Sequence, residues 1–465
     1  MDRPSLHPAP PVDSTAQIGT DAIGRLLLRF SIPSIVGMLV HALYNIVDRM
    51  FIGHGIGAMG IAGVTIGFPL MLAMISFSIW VGVGANTLFS IRMGEGRKAE
   101  AERILGNAFI LLFLVPLVAS LAALAWLDPL LRLIGASEEL LPYARSYARI
   151  ILFGSAMATT GHGLSHFIRS DGRPGVSMVS MLIGGVVNTL LDPLFIFVFR
   201  WGMDGAAWAT VIAQGLSFAW CLAYFLSPKA NSRLRRVHLN LDFRRIVWPM
   251  LGIGFSPFAM NLANSLLNVV LNRGLHRYGG EAAVAVMGIL MAYMSIIFMP
   301  VFGIVQGVQP LMGYNYGARQ FARVRHFFWA SVAAATALMV LGWALSQLLP
   351  AQIMRLFVPA GSELIPLGIR ALTLFTLAFP LIGFQIMSGN LFQAIGKPIH
   401  SGFLALTRQI ILFVPFLILF PRRYGLDGIF WAAPASDVLA FLLAAGFIFR
   451  EIRALRKREQ EASPP

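Results

Sequence analysis

Two aspartates stand where aspartates are costly. Asp48 and Asp192 fall inside long apolar runs, and a carboxylate at mid-bilayer costs roughly 2.5–3.5 kcal/mol on insertion scales. Protonation, a partner or a bound cation has to offset that. His41, Tyr44, Asn45 and Asp48 recur at i, i+3, i+4 and i+7, which makes one polar stripe along an otherwise apolar helix. Asp192 has Asn188 four residues before it on the same helix face. Pro193 follows and strips a backbone hydrogen bond, freeing carbonyls nearby. Thr210 sits about one and a half turns into the next apolar run. Counted at about 1.5 Å per residue, Asp48, Asn188, Asp192 and Thr210 all reach the outer half of the bilayer, where they can converge. Two carboxylates, an amide carbonyl and a hydroxyl are hard oxygen ligands suited to Na⁺. Two adjacent carboxylates suit proton exchange equally well, so the residue types leave Na⁺ and H⁺ both open. Beyond a coupling ion no cofactor is expected.

The elements that must position these groups are transmembrane helices. The 465 residues are 57% hydrophobic and only 12% charged, too few charges to cover a soluble surface of this size. Twelve runs are long enough to cross a bilayer: 26–52, 61–91, 104–127, 147–168, 174–199, 205–226, 246–272, 282–312, 326–349, 365–394, 400–420 and 428–449. Prolines inside many of them, Pro33, Pro69, Pro193, Pro257, Pro300, Pro380 and Pro415, predict kinks. Most of the 36 Lys and Arg residues fall on the side that holds both termini, which puts those termini in the cytoplasm. The net charge of +15 is thus a topology signal, and nucleic acid is not an expected partner. The polar, Pro-rich start carries no signal-peptide pattern. The single cysteine, Cys221, excludes an internal disulfide and reads as a small buried residue.

The chain also repeats itself. Trp201-Gly-Met-Asp-Gly205 returns as Tyr424-Gly-Leu-Asp-Gly428, Gly172-Arg-Pro174 as Gly396-Lys-Pro398, Gly84 as Gly307, Gly94 as Gly317 and Asn45 as Asn268, a spacing of 223 to 224 residues. Each copy holds an even number of spans, so both start on the same side of the membrane. The expected fold class is an all-α membrane protein with twelve transmembrane helices in two parallel six-helix lobes, the plan of transporters whose site lies between the halves. The expected organisation is a polar cytoplasmic segment (1–25), an N-lobe (26–226), a cytoplasmic linker (227–245), a C-lobe (246–449) and a cytoplasmic tail (450–465). The copies differ where the chemistry sits. Asp48 maps to Leu271 and Asp192 to Pro415 or Phe416, so a cation site belongs to the N-lobe. The one acid within the C-lobe spans is Asp437.

Other residues allow weaker readings. Met71, Met291 and Met294, with Gln306 and Gln309, could line a promiscuous substrate pocket alongside His41, Tyr44 and Asn45, since thioethers adapt to many shapes; packing explains the methionines equally well. His162 and His166 have i, i+4 spacing, half of a metal site, but no further ligand accompanies them. His166 and Asp171 form a His-x4-Asp pattern seen in some membrane acyltransferases. Asp204 and Asp427 recur at matching outer junctions and read as helix caps. Lysine is absent from the spans, which disfavours a lipid-linked oligosaccharide flippase handling an anionic pyrophosphate.

Tyr44-Asn-Ile-Val-Asp48 leading to Phe51-Ile-Gly53, the Gly172-Arg-Pro174 turn and Asn188-Thr-Leu-Leu-Asp192-Pro193 resemble the multidrug and toxic compound extrusion family, in its MepA-like branch, over residues 22 to 450. The resemblance implies a V-shaped pair of lobes and no enzymatic activity. It implies antiport of small amphipathic cations against Na⁺ or H⁺ in a cell inner membrane by a monomer. It also implies an N-lobe cation site at Asp48, Asn188, Asp192 and Thr210. Some branches use an additional Glu on helix 7 and Asp on helix 10, and this sequence has neither.

Overall fold

A computed structural model describes residues 15–359 and 361–462. Nearly all of it is helix. The spans are α1 (Ile23–Gly55), α2 (Ala58–Gly94), α3 (Lys98–Ala125), α4 (Leu141–Ser170), α5 (Pro174–Val198), α6 (Gly202–Leu226), α7 (248–279), α8 (281–317), α9 (Phe321–Leu348), α10 (Leu364–Phe375 with Phe379–Ala394), α11 (Pro398–Tyr424) and α12 (Leu426–Ala462). Among the described residues nine helices are long and apolar enough to cross a membrane as single stretches. The longest is two spans, because Gly280 turns the chain at φ 62° between α7 and α8. α10 is one span bent by 50°. α4 completes the twelve, and its His162, His166 and Arg169 explain why it is less apolar than the others.

The repeat is written in the backbone. Left-handed turns fall at Gly57 and Gly280, at Gly172 and Gly396, and at Gly202 and Gly425, the same spacing as the sequence motifs. After α4, Arg173 N–H reaches back to Ile168 O (3.2 Å); after α10, Lys397 N–H reaches Phe392 O (2.8 Å). Each closes the helix end with a six-to-one hydrogen bond that needs a residue at positive φ. Prolines then start α5 and α11 in the position where the missing N–H is harmless. Both α5 and α11 also widen into π-turns, at Leu194–Val198 and Thr407–Leu412.

The first six spans and the last six each gather around apolar cores of their own, and these interlock at the seam: Leu26 and Phe30 of α1 enter the second-half core, and Met250 of α7 the first-half one. The two halves meet along α1 and α2 on one side and α7 and α8 on the other. Here four glycines, two from each copy, remove the side chains that would keep the backbones apart. A Cβ on Gly94 would overlap the Tyr314 carbonyl, and one on its repeat mate Gly317 would overlap the Ile91 carbonyl. Likewise Gly84 lies against the Met250 carbonyl, and Gly307 against the backbone of Phe30 and Ser31. Trp80 Nε1 donates to Leu251 O (2.9 Å) and stacks on Phe258 at 4.7 Å. All these contacts lie toward the side that bears both termini.

The segments expected to be polar extensions are more ordered than the sequence suggested. Residues 1–14 lie outside the described residues, but Ala16–Thr20 is helical and Ile18 is fully buried. Its carbonyl accepts from Arg323 Nη2 (3.0 Å). The tail continues α12, where Arg325 pairs with Glu459 at 2.6 Å. The linker is pinned to the first half: Asn231 and Ser232 N–H donate to Asp171 (2.8 and 2.9 Å), and Arg233 N–H to Glu102 (3.0 Å). Asp204 and Asp427 are not caps, since neither is the capping residue of its helix and no side-chain cap bond forms at α6. They occupy first turns, where a negative charge suits the helix dipole. Asp204 accepts from Ser146, and Asp427 pairs with Arg370, the repeat mate of Ser146.

Candidate functional site

Four helices build the polar cluster in the first half. α1 presents Tyr44 and Asp48 on one face, α5 presents Asn188 and Asp192 one turn apart, α6 supplies Thr210 and α4 supplies Tyr147. The π-turn directly after Asp192-Pro193 interrupts the regular ladder there, a distortion frequent at functional positions. Asp48, Asn188, Asp192 and Thr210 are 8%, 1%, 0% and 5% exposed. Asn188 Nδ2 donates to Asp192 Oδ1 (3.2 Å) and to Thr210 Oγ1 (3.3 Å). Thr210 donates its own proton to the Ala206 carbonyl (3.1 Å). The carboxyl groups of Asp48 and Asp192 face one another directly. Arg49, the next residue on α1, lies over the Phe68 ring at 5.8 Å.

After these bonds, three buried acceptor oxygens have no donor: Asp48 Oδ1, Asn188 Oδ1 and Asp192 Oδ2. One such orphan typically costs about 1–3 kcal/mol, and more when charged. Three together, on two carboxylates and an amide, form a hard oxygen donor set that a small cation satisfies. The donor chemistry fits Na⁺ or H⁺, with Asp48, Asn188 and Asp192 as the contacting groups. Thr210 plays a different part: its hydroxyl oxygen accepts from the Asn188 amide nitrogen, whose own carbonyl oxygen is left without a donor.

Tyr147 is the member sequence reasoning missed. It is 2% exposed and lies beside Thr210, Asp48, Tyr44 and Asp192. The signal was depth: α4 runs inward from Leu141, so a tyrosine six residues in lies level with Asp192.

The other singled-out residues are scattered along the two halves. His41 and Asn45 are exposed on α1; the His41 ring meets Tyr44 edge-on at 5.0 Å, and Asn45 donates to the His41 carbonyl (2.7 Å). Met71 is partly buried against the first-half core, and Met291 and Met294 against the second-half core. Gln309 is buried between the halves, donating to Thr87 Oγ1 (3.2 Å). Gln306 reaches Met38 across the same seam and keeps an unbonded Oε1. An open apolar cavity of about 550 Å³ lies between α7 and α11, walled by Phe255, Phe258, Leu262 and Ile410. His166 and Asp171 do not meet. His166 Nδ1 bonds buried Arg169 (2.7 Å), and Asp171 accepts from Tyr224 (2.7 Å) and the linker. Arg169 is only 2% exposed; it also donates to Ser177 (2.7 Å).

A bundle of twelve helices made of two copies of one six-helix unit, with a buried oxygen cluster in one copy, defines a membrane transporter. The MatE family model matches residues 33–194 and 257–419, once per copy, and the chain belongs to the multidrug and toxic compound extrusion family. A relative named as an FAD transporter of Shewanella oneidensis is 28% identical over 90% of this chain and 92% of its own length. The multidrug export protein MepA of Staphylococcus aureus is 23% identical over 91% and 93%. A solved structure described as the outward-facing conformation of a multidrug resistance transporter of this family superposes with TM-score 0.88. It shares 25% identity and covers 95% of this chain and 98% of that one. A solved structure of a transporter from Pyrococcus furiosus, described as having a binding pocket of reverse polarity, gives the same TM-score of 0.88 at 25% identity, with coverage of 95% and 98%. Members of the family are transporters, not enzymes.

Proposed function

We propose that the protein is a secondary active exporter that exchanges amphipathic cationic compounds for H⁺ or Na⁺ by alternating access. In this reading it works as a monomer in the cell inner membrane, with both termini in the cytoplasm. The observation that carries the proposal is the set of three donorless oxygens on Asp48, Asn188 and Asp192. Unpaired carboxylates are kept in a membrane protein because they bind and release something positive. Ion and substrate then compete for the same negative charge, which is the differential affinity that coupling requires. The close glycine-mediated seam on the terminal side seals one access route, leaving the cluster to load from the opposite side. The names of relatives span drugs and a flavin dinucleotide, and it is the carboxylates of this chain that favour a cationic cargo. The test is purified protein in liposomes, with ethidium flux followed under an imposed Na⁺ gradient and, separately, an imposed H⁺ gradient. One of the two gradients should drive accumulation; flux indifferent to both removes the antiport reading.

A further inference from the structure

On the terminal side the two halves meet through a pair of turns that are copies of one another. At the end of α2, Arg97 N–H reaches back to Arg92 O (2.9 Å); at the end of α8, Gln320 N–H reaches Asn315 O (2.9 Å). Each turn needs one residue in the left-handed region. In the first half that residue is Gly96, at φ 74°; in the second it is Arg319, at φ 58°. Glycine takes this conformation without strain and arginine does not. Arg319 therefore carries a backbone cost that its copy avoids. Its side chain makes no hydrogen bond or ion pair among the described residues that would offset it.

Between the two turns lies an open cavity of about 660 Å³. Glu95 and Arg97 line it from the first half, and Tyr316, Arg319 and Phe321 from the second. The charges of the first-half wall cancel. Arg92 pairs with Glu95 (2.6 Å) and Glu100 (3.4 Å), and Arg97 pairs with Glu95 (3.3 Å) and with Glu100, so two arginines balance two glutamates. The second-half wall is not balanced. Arg319 offers a whole guanidinium fork. The Tyr316 hydroxyl accepts from Arg458 Nη1 (2.8 Å), so its own proton remains available for an acceptor.

Backbone strain persists where the strained residue has a task, and these donors define what the task is. A cation is repelled by Arg319 and by Arg458 behind Tyr316. A carboxylate has two oxygens, and a guanidinium fork takes both. A phosphate group brings a third oxygen for the Tyr316 hydroxyl. We propose that this cavity binds a phosphate group, from soluble phosphate or from an anionic phospholipid headgroup, and that the bound group clamps the terminal side shut. The clamp follows from the origin of the walls. Gly94 and Gly317, the glycines that bring the halves into contact, belong to the same lining, so parting the halves at that seam dismantles the cavity. A ligand that fits only the closed arrangement favours it by its differential affinity. Binding is independent of cargo and coupling ion, whereas the effect on access rests on the alternating-access reading.

The test uses full-length protein in nanodiscs, with a cysteine at Ser90 on the seam reporting access to a hydrophilic maleimide. Discs of phosphatidylcholine alone receive inorganic phosphate or, as the control, chloride at equal ionic strength. A second set of discs contains phosphatidylglycerol and no added phosphate. The informative variant is Arg319→Gly, which gives the turn the residue its copy uses and so removes the guanidinium without adding strain. In wild type, one of the two phosphate sources should slow labelling about fivefold or more and raise the melting temperature. Whichever does so identifies the source. Arg319→Gly should melt at least as high as wild type in chloride and lose both responses. Tyr316→Phe should weaken the response about threefold. The site is overturned if neither source changes labelling or melting relative to chloride, or if Arg319→Gly responds as wild type does, which is what general screening of surface charge would give. A melting shift that tracks Arg319 with no change in labelling overturns the clamp. Because the melting response needs no transport, it survives a failure of the ethidium experiment, and the two readings fail separately.

Discussion

The two halves of this protein are copies that handle buried charge in opposite ways. In the first half, Asp48 and Asp192 face each other with oxygens that no donor reaches. Their repeat positions in the second half are Leu271 and Pro415 or Phe416, so the cluster has no counterpart at that depth. In the second half the acid buried within the spans is Asp437, and Arg408 holds it at 2.7 Å. A buried carboxylate with its own guanidinium is nearly neutral and does not attract a cation strongly. One that shares its space with a second carboxylate does. The same six-helix unit thus yields one lobe that stores negative charge and one that cancels it.

The largest effect should come from removing the stored charge. Asp192→Asn, or Asp48→Asn, is expected to abolish gradient-driven ethidium flux in liposomes while the purified protein keeps its monodisperse elution. Asn keeps the shape and one acceptor but cannot exchange a proton or balance a cation. Flux persisting at wild-type level in both variants would dissolve the contrast between the halves. The next largest effect should be on stability. Arg408→Met leaves Asp437 buried without its partner, a loss of about 3–5 kcal/mol for ion pairs of this kind. The double substitution Arg408→Gln with Asp437→Asn, which leaves a neutral pair, should recover most of it. Thermal unfolding of the two variants in detergent checks this, and equal melting points would mean that the pair carries no stability.

Much of this was readable beforehand, for identifiable reasons. Span count and repeat were legible because lipid enforces long apolar runs and because turns at positive φ demand glycine, as at Gly172 and Gly396. Asp48, Asn188, Asp192 and Thr210 were legible because acids in hydrocarbon are rare and helix depth can be counted. Tyr147 escaped because a tyrosine near a span end is unremarkable until the facing helix is known. The pairing of Arg408 with Asp437 escaped because nothing in sequence links positions on separate spans. Asp204 and Asp427 were misassigned because a recurring acid at a helix start satisfies the capping pattern. Their partners Ser146 and Arg370 lie more than fifty residues away.

The seam between the halves offers a third, intermediate test. Gly94 and Gly317 are repeat mates, each pressed on a carbonyl of the opposite half. Substituting Gly317→Val should separate the backbones there, at a cost of about 1–3 kcal/mol to the sealed state. That is enough to shift a two-state balance several-fold or more. The single native cysteine is buried, so a cysteine placed at Ser90 reports access cleanly. Labelling of that position by a hydrophilic maleimide should accelerate in the Gly317→Val background. A rate unchanged within twofold would show that the seam does not depend on glycine. The effect should be similar for Gly94→Val, since the contact is reciprocal.

The smallest effect concerns Asp171, in the turn between α4 and α5, which ties the linker to the first half and has no acidic counterpart at Ala394 or Ile395. Burial pushes its carboxyl up to about 6, against the pull of hydrogen bonds from Tyr224, Asn231 and Ser232. The sign follows from proton counting. Between the unfolded value near 4 and the folded value of about 6, the folded protein holds more protons than the unfolded chain. Stability from this group is therefore complete below pH 4 and lost as pH rises through 6. Relative to Asp171→Asn, which does not titrate, the wild-type melting temperature should fall by a few degrees between pH 4 and pH 7. The comparison with the variant isolates this group from the other acids. A constant difference across that range would mean that the three donors, not burial, set the ionisation of Asp171, and that the linker is held by charge as firmly as the second half holds Asp437.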